Sequence, residues 1–144
     1  MSTLLLTPEQ LEQIRQEGAA AYPDECCGVL IGRDIDGRRI VEKLRALSNS
    51  FEPGERFHRF RLDPLELARA EKEAGESGKL VLGFYHSHPD HPARPSEYDR
   101  AHAWPFYSYV IVAIEKGQPC DLTSWLLDEK TEQFVSEAVL ESGT

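Results

Sequence analysis

Leu80-Val81-Leu82-Gly83-Phe84-Tyr85-His86-Ser87-His88-Pro89 runs from an apolar stretch straight into a histidine pair, and Ser96-Glu97-Tyr98-Asp99 follows it after a proline-rich connection. The unbroken apolar character of 80–86 predicts a strand buried on both faces, central in its sheet. Side chains alternate along a strand, so His86 and His88 share one face and can converge on one metal ion. Asp99, eleven residues beyond His88, can return across the loop as a third ligand. One tetrahedral position then stays open for water, which is the donor set of catalytic zinc; structural zinc takes four protein ligands. The cofactor expected is one Zn2+.

This reading has rivals within the same residues. Ser96-x-x-Asp99 ahead of a helix is also a capping box, which would use both side chains on backbone N–H groups. That alternative leaves unexplained why two histidines one residue apart stand at the end of the preceding strand. Asp90 and His91 could bind metal themselves, but they follow Pro89 on a turn where exposed polar residues are ordinary. His58 and His102 are isolated histidines of the kind found on surfaces. Adjacent Cys26 and Cys27 point to opposite faces of a strand and cannot both reach one ion.

Outward from the motif, the chain punctuates itself clearly. Thr7-Pro8-Glu9-Gln10 is a helix start, with Thr7 as N-cap, proline at N1 and glutamine at N3. Leu11, Ile14 and Ala21 follow at helical spacing, and Pro23 closes that helix. Two apolar-rich runs, 26–32 and 38–47, are joined by Asp34-Ile35-Asp36-Gly37, a hairpin signal. Residues 49–57 read as a polar loop and 60–62 as a short extended piece. Asp63-Pro64-Leu65-Glu66 opens a second helix that Gly75 and Gly78 end. The segment 88–95 carries too many prolines for regular structure. Ser96 opens a third helix that must stop before Pro105. The runs 107–115, 120–127 and 134–140 read as strands, the last with a glutamate and alanine content that would also suit a helix. No repeat, low-complexity segment or long linker divides the chain, so residues 1–144 are expected to form one domain of the α/β or α+β sandwich class.

Composition narrows the function. Sixteen basic residues against twenty-five acidic ones give a net charge of −9, without a lysine- or arginine-rich run. Nucleic-acid binding needs a basic footprint and is disfavoured. No apolar stretch approaches the roughly 20 residues of a membrane span, and Met1 to Thr7 lacks the basic region and cleavage site of a signal peptide. Three cysteines, two of them adjacent, make a poor disulfide framework. They are expected to be small core residues in a reducing, cytoplasmic setting.

Hydrolysis at such a metal also needs a proton carrier. Pro23-Asp24-Glu25-Cys26-Cys27-Gly28 offers Glu25 at the junction of the first helix and first strand. From the residues alone, an ordinary solvated glutamate at a strand entrance is an equal reading, and Asp24 is its neighbour and competitor.

Glu25 within Pro-x-Glu-x-Cys-Gly, followed by His-x-His-x7-Ser-x2-Asp, resembles the JAMM (MPN+) zinc metalloproteases, over roughly residues 8–127. The likeness is to their small, single-domain bacterial and archaeal members. It implies a cytidine-deaminase-like JAB1/MPN fold, a central, mostly antiparallel mixed β-sheet flanked by helices. It further implies that His86, His88 and Asp99 ligate zinc, that Glu25 is the general acid/base, and that Ser96 stabilises the developing oxyanion. The activity implied is cleavage of a peptide or isopeptide bond after the C-terminal Gly-Gly of a ubiquitin-like or sulfur-carrier protein. The oligomeric state is left open, a homodimer included. Other readings are a zinc hydrolase of small amides or thiocarboxylates and a non-catalytic scaffold, although every motif position is filled. Zinc deaminases carry His-x-Glu and Pro-Cys-x-x-Cys, and this chain has neither.

Overall fold

The computed structural model describes residues 2–47 and 64–143. The expected loop at 49–57, the extended piece at 60–62, Asp63 and His58 lie outside the described residues. In chain order the elements are β1 (Thr3–Leu6), α1 (Pro8–Ala21), β2 (Cys27–Ile35), β3 (Arg38–Leu47), α2 (Pro64–Glu76), β4 (Leu80–Pro89), α3 (Glu97–Ala101), β5 (Ser108–Glu115), β6 (Gln118–Leu127) and β7 (Phe134–Glu141). The strands follow the order β1-β3-β2-β4-β5-β6-β7, and β1 returns to β7 so that the sheet closes on itself. Pairs β4–β5, β1–β3 and β1–β7 are parallel and the other four antiparallel. This is the expected mixed α/β sheet with flanking helices.

The local signals act as the sequence predicts at most junctions. Thr7 accepts from the Gln10 N–H at 3.1 Å and the Gln10 side chain accepts from the Thr7 N–H at 2.9 Å, which starts α1. Asp36 (φ 52°) and Gly37 (φ 87°) both adopt positive φ, the pattern of a two-residue hairpin whose twist suits the flanking strands. Residues 134–141 are a strand, resolving the ambiguity of that segment. Gly75 lies inside α2; the positive-φ Gly78 follows its end.

Three features differ from the sequence reading. Leu4, Leu5 and Leu6 form β1, a strand that four residues could not announce by periodicity; Leu4 and Leu6 are fully buried. β4 continues through His88 and Pro89, which pair with Ala113 and Ile114 of β5. Proline is tolerated there because it sits at the strand's end, where the ladder needs no further donor. Cys120 is exposed, not a core residue.

Two apolar clusters lie on opposite faces of the sheet. Leu11 and Ile14 of α1 pack with Leu30, Leu82, Tyr85 and Val112. Ala70 and Ala74 of α2 pack with Val29, Ile31, Val81, Phe84 and Tyr109. β4 changes phase between them. Leu30 pairs with Gly83 but Ile31 pairs with Val81, so Leu82 is an extra residue in the ladder. Such a bulge re-aims every side chain beyond it. Gly83 accommodates it, since a Cβ there would meet the Ser108 carbonyl oxygen at 1.9 Å. Beyond the bulge Tyr85 and Ser87 face α1, and Phe84, His86 and His88 face away from it. Among the described residues no helix is long and apolar enough to cross a membrane.

Candidate metal centre

Beyond the bulge, β4 delivers both imidazoles to one spot. Nε2 of His86 stands 3.1 Å from Nε2 of His88. Asp99, from α3, brings Oδ1 to 3.5 Å from His86 Nε2 and Oδ2 to 3.2 Å from His88 Nε2. Ligand atoms about 2.0–2.1 Å from a tetrahedral zinc stand about 3.3 Å from one another. The three observed separations bracket that value, and these are the only three such groups that gather this way among the described residues.

Proton placement makes the same point. His88 Nδ1 lies 2.9 Å from the Pro92 carbonyl oxygen. A carbonyl only accepts, so Nδ1 carries a proton and Nε2 is the ring nitrogen turned towards the Asp99 carboxylate. Nε2 stands 3.2 Å from Asp99 Oδ2, a separation that a proton or a bound cation can bridge. Burial pushes the His86 imidazole below its ordinary pKa, towards the neutral form that ligates metal, against the opposing pull of Asp99. Burial works against ionisation of Asp99 as well. The flanking imidazoles and the Ser96 N–H outweigh it, holding its carboxyl well below the usual carboxylate range.

The capping reading of Ser96 and Asp99 also proves correct in geometry. Ser96 Oγ accepts from the Asp99 N–H at 3.0 Å, and Asp99 Oδ2 accepts from the Ser96 N–H at 2.8 Å. Capping and convergence on the histidines are therefore not alternatives. The box fixes the rotamer that aims Asp99 at β4, and a carboxylate has lone pairs enough for both tasks. Ser96 itself is exposed beside the cluster.

Glu25 is not a solvated glutamate; it is 5% exposed, whereas Asp24 is half-buried. β2 pairs Cys27 with His86, and the Ser87 N–H donates to the Cys26 carbonyl at 3.2 Å. Continued two residues further, that antiparallel register sets Glu25 beside His88. Burial, with the Asp99 charge adding to it, pushes the Glu25 carboxyl up to about 9. The protonation preferences of Glu25 and Asp99 are thus driven apart, one raised mainly by burial and the other lowered by its neighbours.

The rival residues fall away from the cluster. Asp90 accepts from the Tyr22 hydroxyl at 2.6 Å and the Lys116 N–H at 2.7 Å, tying the turn after β4 to its neighbours. His91 is exposed, and His102 stacks on Tyr98 with ring centroids 4.1 Å apart. The Cys26 N–H binds Ser87 Oγ at 2.8 Å, and Cys27 is buried.

One part of the site was not anticipated. A pocket of about 240 Å³ opens beside His86 and Asp99, walled by Phe84, Tyr98, Trp104, Tyr109 and Phe134. The aromatic density of 104–109 was its only signal, and Phe134 joins from a distant strand.

Comparison with known proteins places these features in context. Residues 7–128 match the family described as prokaryotic homologs of the JAB domain. The desampylase of Haloferax volcanii is 36% identical over 102 residues, covering 70% of this chain and 70% of that protein. A probable TtuB-protein conjugate cleaving protease of Thermus thermophilus is 36% identical over 101 residues, 70% of this chain and 64% of its own length. The solution structure of a protein from Desulfitobacterium hafniense superposes with a TM-score of 0.85 at 32% identity, covering 99% of this chain and 94% of that one.

Proposed function

Since the chain belongs to the prokaryotic homologs of the JAB domain, we propose that it is a zinc metallopeptidase. Its reaction on this reading is hydrolysis of the peptide or isopeptide bond after the C-terminal Gly-Gly of a ubiquitin-like or sulfur-carrier protein. The single observation that carries the proposal is the convergence of His86, His88 and Asp99 at 3.1–3.5 Å, with buried Glu25 alongside. The two relatives support the same direction, one named a desampylase and the other a conjugate-cleaving protease.

His86, His88 and Asp99 would hold the ion. Zinc bound there would supply Lewis acidity for the scissile carbonyl and would lower the pKa of a water to about 7. Glu25 takes the proton of the attacking water and returns it to the leaving amine, so one carboxyl serves as base and then acid. Without metal its burial favours the protonated form; a dication nearby favours the carboxylate that the first step requires. Ser96 Oγ already accepts from the Asp99 N–H, which leaves its own proton to donate to the developing oxyanion.

The test is incubation of the zinc-loaded protein with ubiquitin-like proteins extended beyond Gly-Gly, read by intact mass. Loss of the extension at that bond is expected. If every such protein stays intact while a simple amide is hydrolysed, the substrate is a small molecule and the proposal is overturned.

A further inference from the structure

The aromatic pocket beside His86 and Asp99 has no task in the chemistry above. Its walls pack on one another: Tyr109 meets Phe84 and Phe134 with ring centroids 5.6 Å apart in each case, and the Trp104 backbone N–H donates to the Tyr109 hydroxyl at 2.8 Å. Trp104 nonetheless leaves 52% of its surface exposed. Cofactor and drug-sized sites run to about 300–1,000 Å³, so about 240 Å³ suits one or two side chains of a longer ligand.

Direction follows from Glu25. It lies at the His88 end of the site, and with Glu17 and Asp24 it lines a separate opening that shares no residue with the aromatic pocket. An amine leaving under protonation by Glu25 departs on that acidic side, where its positive charge is favoured. The aromatic pocket, at the Phe84 and His86 end, is left for the acyl side of the scissile bond. Glycines have no side chain to fill it. Two glycines span about 7 Å of extended chain, so the residue preceding them is the first whose side chain can reach in.

Resting on the peptidase reading, we infer that the pocket walled by Tyr98, Trp104, Tyr109 and Phe134 is a specificity site for an apolar side chain, aromatic or branched aliphatic, immediately before the Gly-Gly of the substrate. Burial of such a side chain against exposed aromatic surface is worth roughly a tenfold to hundredfold gain in kcat/KM.

The experiment uses acetyl-Xaa-Gly-Gly peptides ending in a fluorogenic aminocoumarin amide, with Xaa leucine, phenylalanine, alanine or aspartate. Leucine and phenylalanine should exceed aspartate by at least about tenfold, chiefly through KM. Trp104→Ala, at a half-exposed position, and Phe134→Ser should each shrink that gap. Binding is read separately in zinc-loaded Glu25→Gln from tryptophan emission, with Trp104→Phe in the same background to assign the signal. Acetyl-Leu-Gly-Gly should shift the emission at lower concentration than acetyl-Asp-Gly-Gly. Equal handling of all four residues, or a preference that survives both pocket variants, overturns the inference. Leucine-selective binding at Trp104 while the extended ubiquitin-like proteins all stay intact would keep the pocket and remove the peptidase reading. Cleavage without selectivity would do the reverse.

Discussion

The site is assembled from a strand-borne half and a helix-borne half, and they are held by different means. His86 and His88 sit on β4, paired to Ile111 and Ala113 of β5, and Glu25 stands at the entrance to β2, just before the terminal Cys27–His86 pair. Each of the three is less than a tenth exposed. Asp99 and Ser96 belong to a helix of five residues with no buried residue of its own, held in place by a capping box. A ladder orients its side chains at little further cost because the core already fixes the backbone. A short helix depends on local hydrogen bonds that can open on their own. On the proposed reading the strand half carries two ligands and the proton carrier, while the helix half supplies charge and a hydroxyl from a short capped helix.

The comparison breaks most severely at the histidines. His86→Ala should abolish stoichiometric zinc, measured by elemental analysis after gel filtration, and turnover with it; retention of metal would mean the ladder does not build the site. Next comes Glu25→Gln, which should keep zinc yet lose turnover by about 10²–10⁴-fold. Unchanged rates would move the proton task to another carboxyl.

The helix half is sharpened by separating its two tasks. Ser96→Ala removes the cap, at about 1 kcal/mol of helix stability, along with the hydroxyl. Ser96→Gly costs the helix start only a few tenths of a kcal/mol but still lacks the hydroxyl. Both should lose turnover by about 10²-fold while differing in thermal midpoint. If Ser96→Gly works as well as wild type, Ser96 is a cap alone.

The smallest effect concerns stability without metal. The folded-state pKa of Glu25, about 9, lies above its ordinary 4.5. Between these values the folded protein holds a proton that the unfolded chain has released, so stability declines as pH rises through that window. Asp99 is shifted the other way, and its contribution is lost as pH falls towards the unfolded pKa and below. In the metal-free protein, Glu25→Gln should therefore flatten the fall in melting temperature between pH 5 and pH 9. A wild-type curve already flat over that range would show Glu25 to be ionised without metal.

Glu25 and Asp24 illustrate how far the sequence reached. Both are acidic and adjacent, and no local rule separates a buried carboxyl from a half-buried one. The pairing of Cys27 with His86 brings one of them to the histidines, and that contact spans some sixty residues of chain. The rival ligands Asp90 and His91 were set aside on turn chemistry, and the ties of Asp90 to Tyr22 and Lys116 supply its actual occupation. β1 escaped notice because four residues carry no period; its state is set by two edges, β3 and β7, that need a partner.

The sequence by itself determined which residues could chelate a metal, because alternation along a strand and a capping box before a helix are local geometry written in residue types. It determined the helix starts and the hairpin for the same reason. Only the tertiary structure decided which face of β4 the histidines occupy, through a bulge that depends on where the β5 backbone passes Gly83. It also decided that Glu25 is buried and that aromatic side chains from three strands and the α3 region enclose one pocket. Burial and convergence are sums over residues far apart in the chain, and no stretch of sequence contains them.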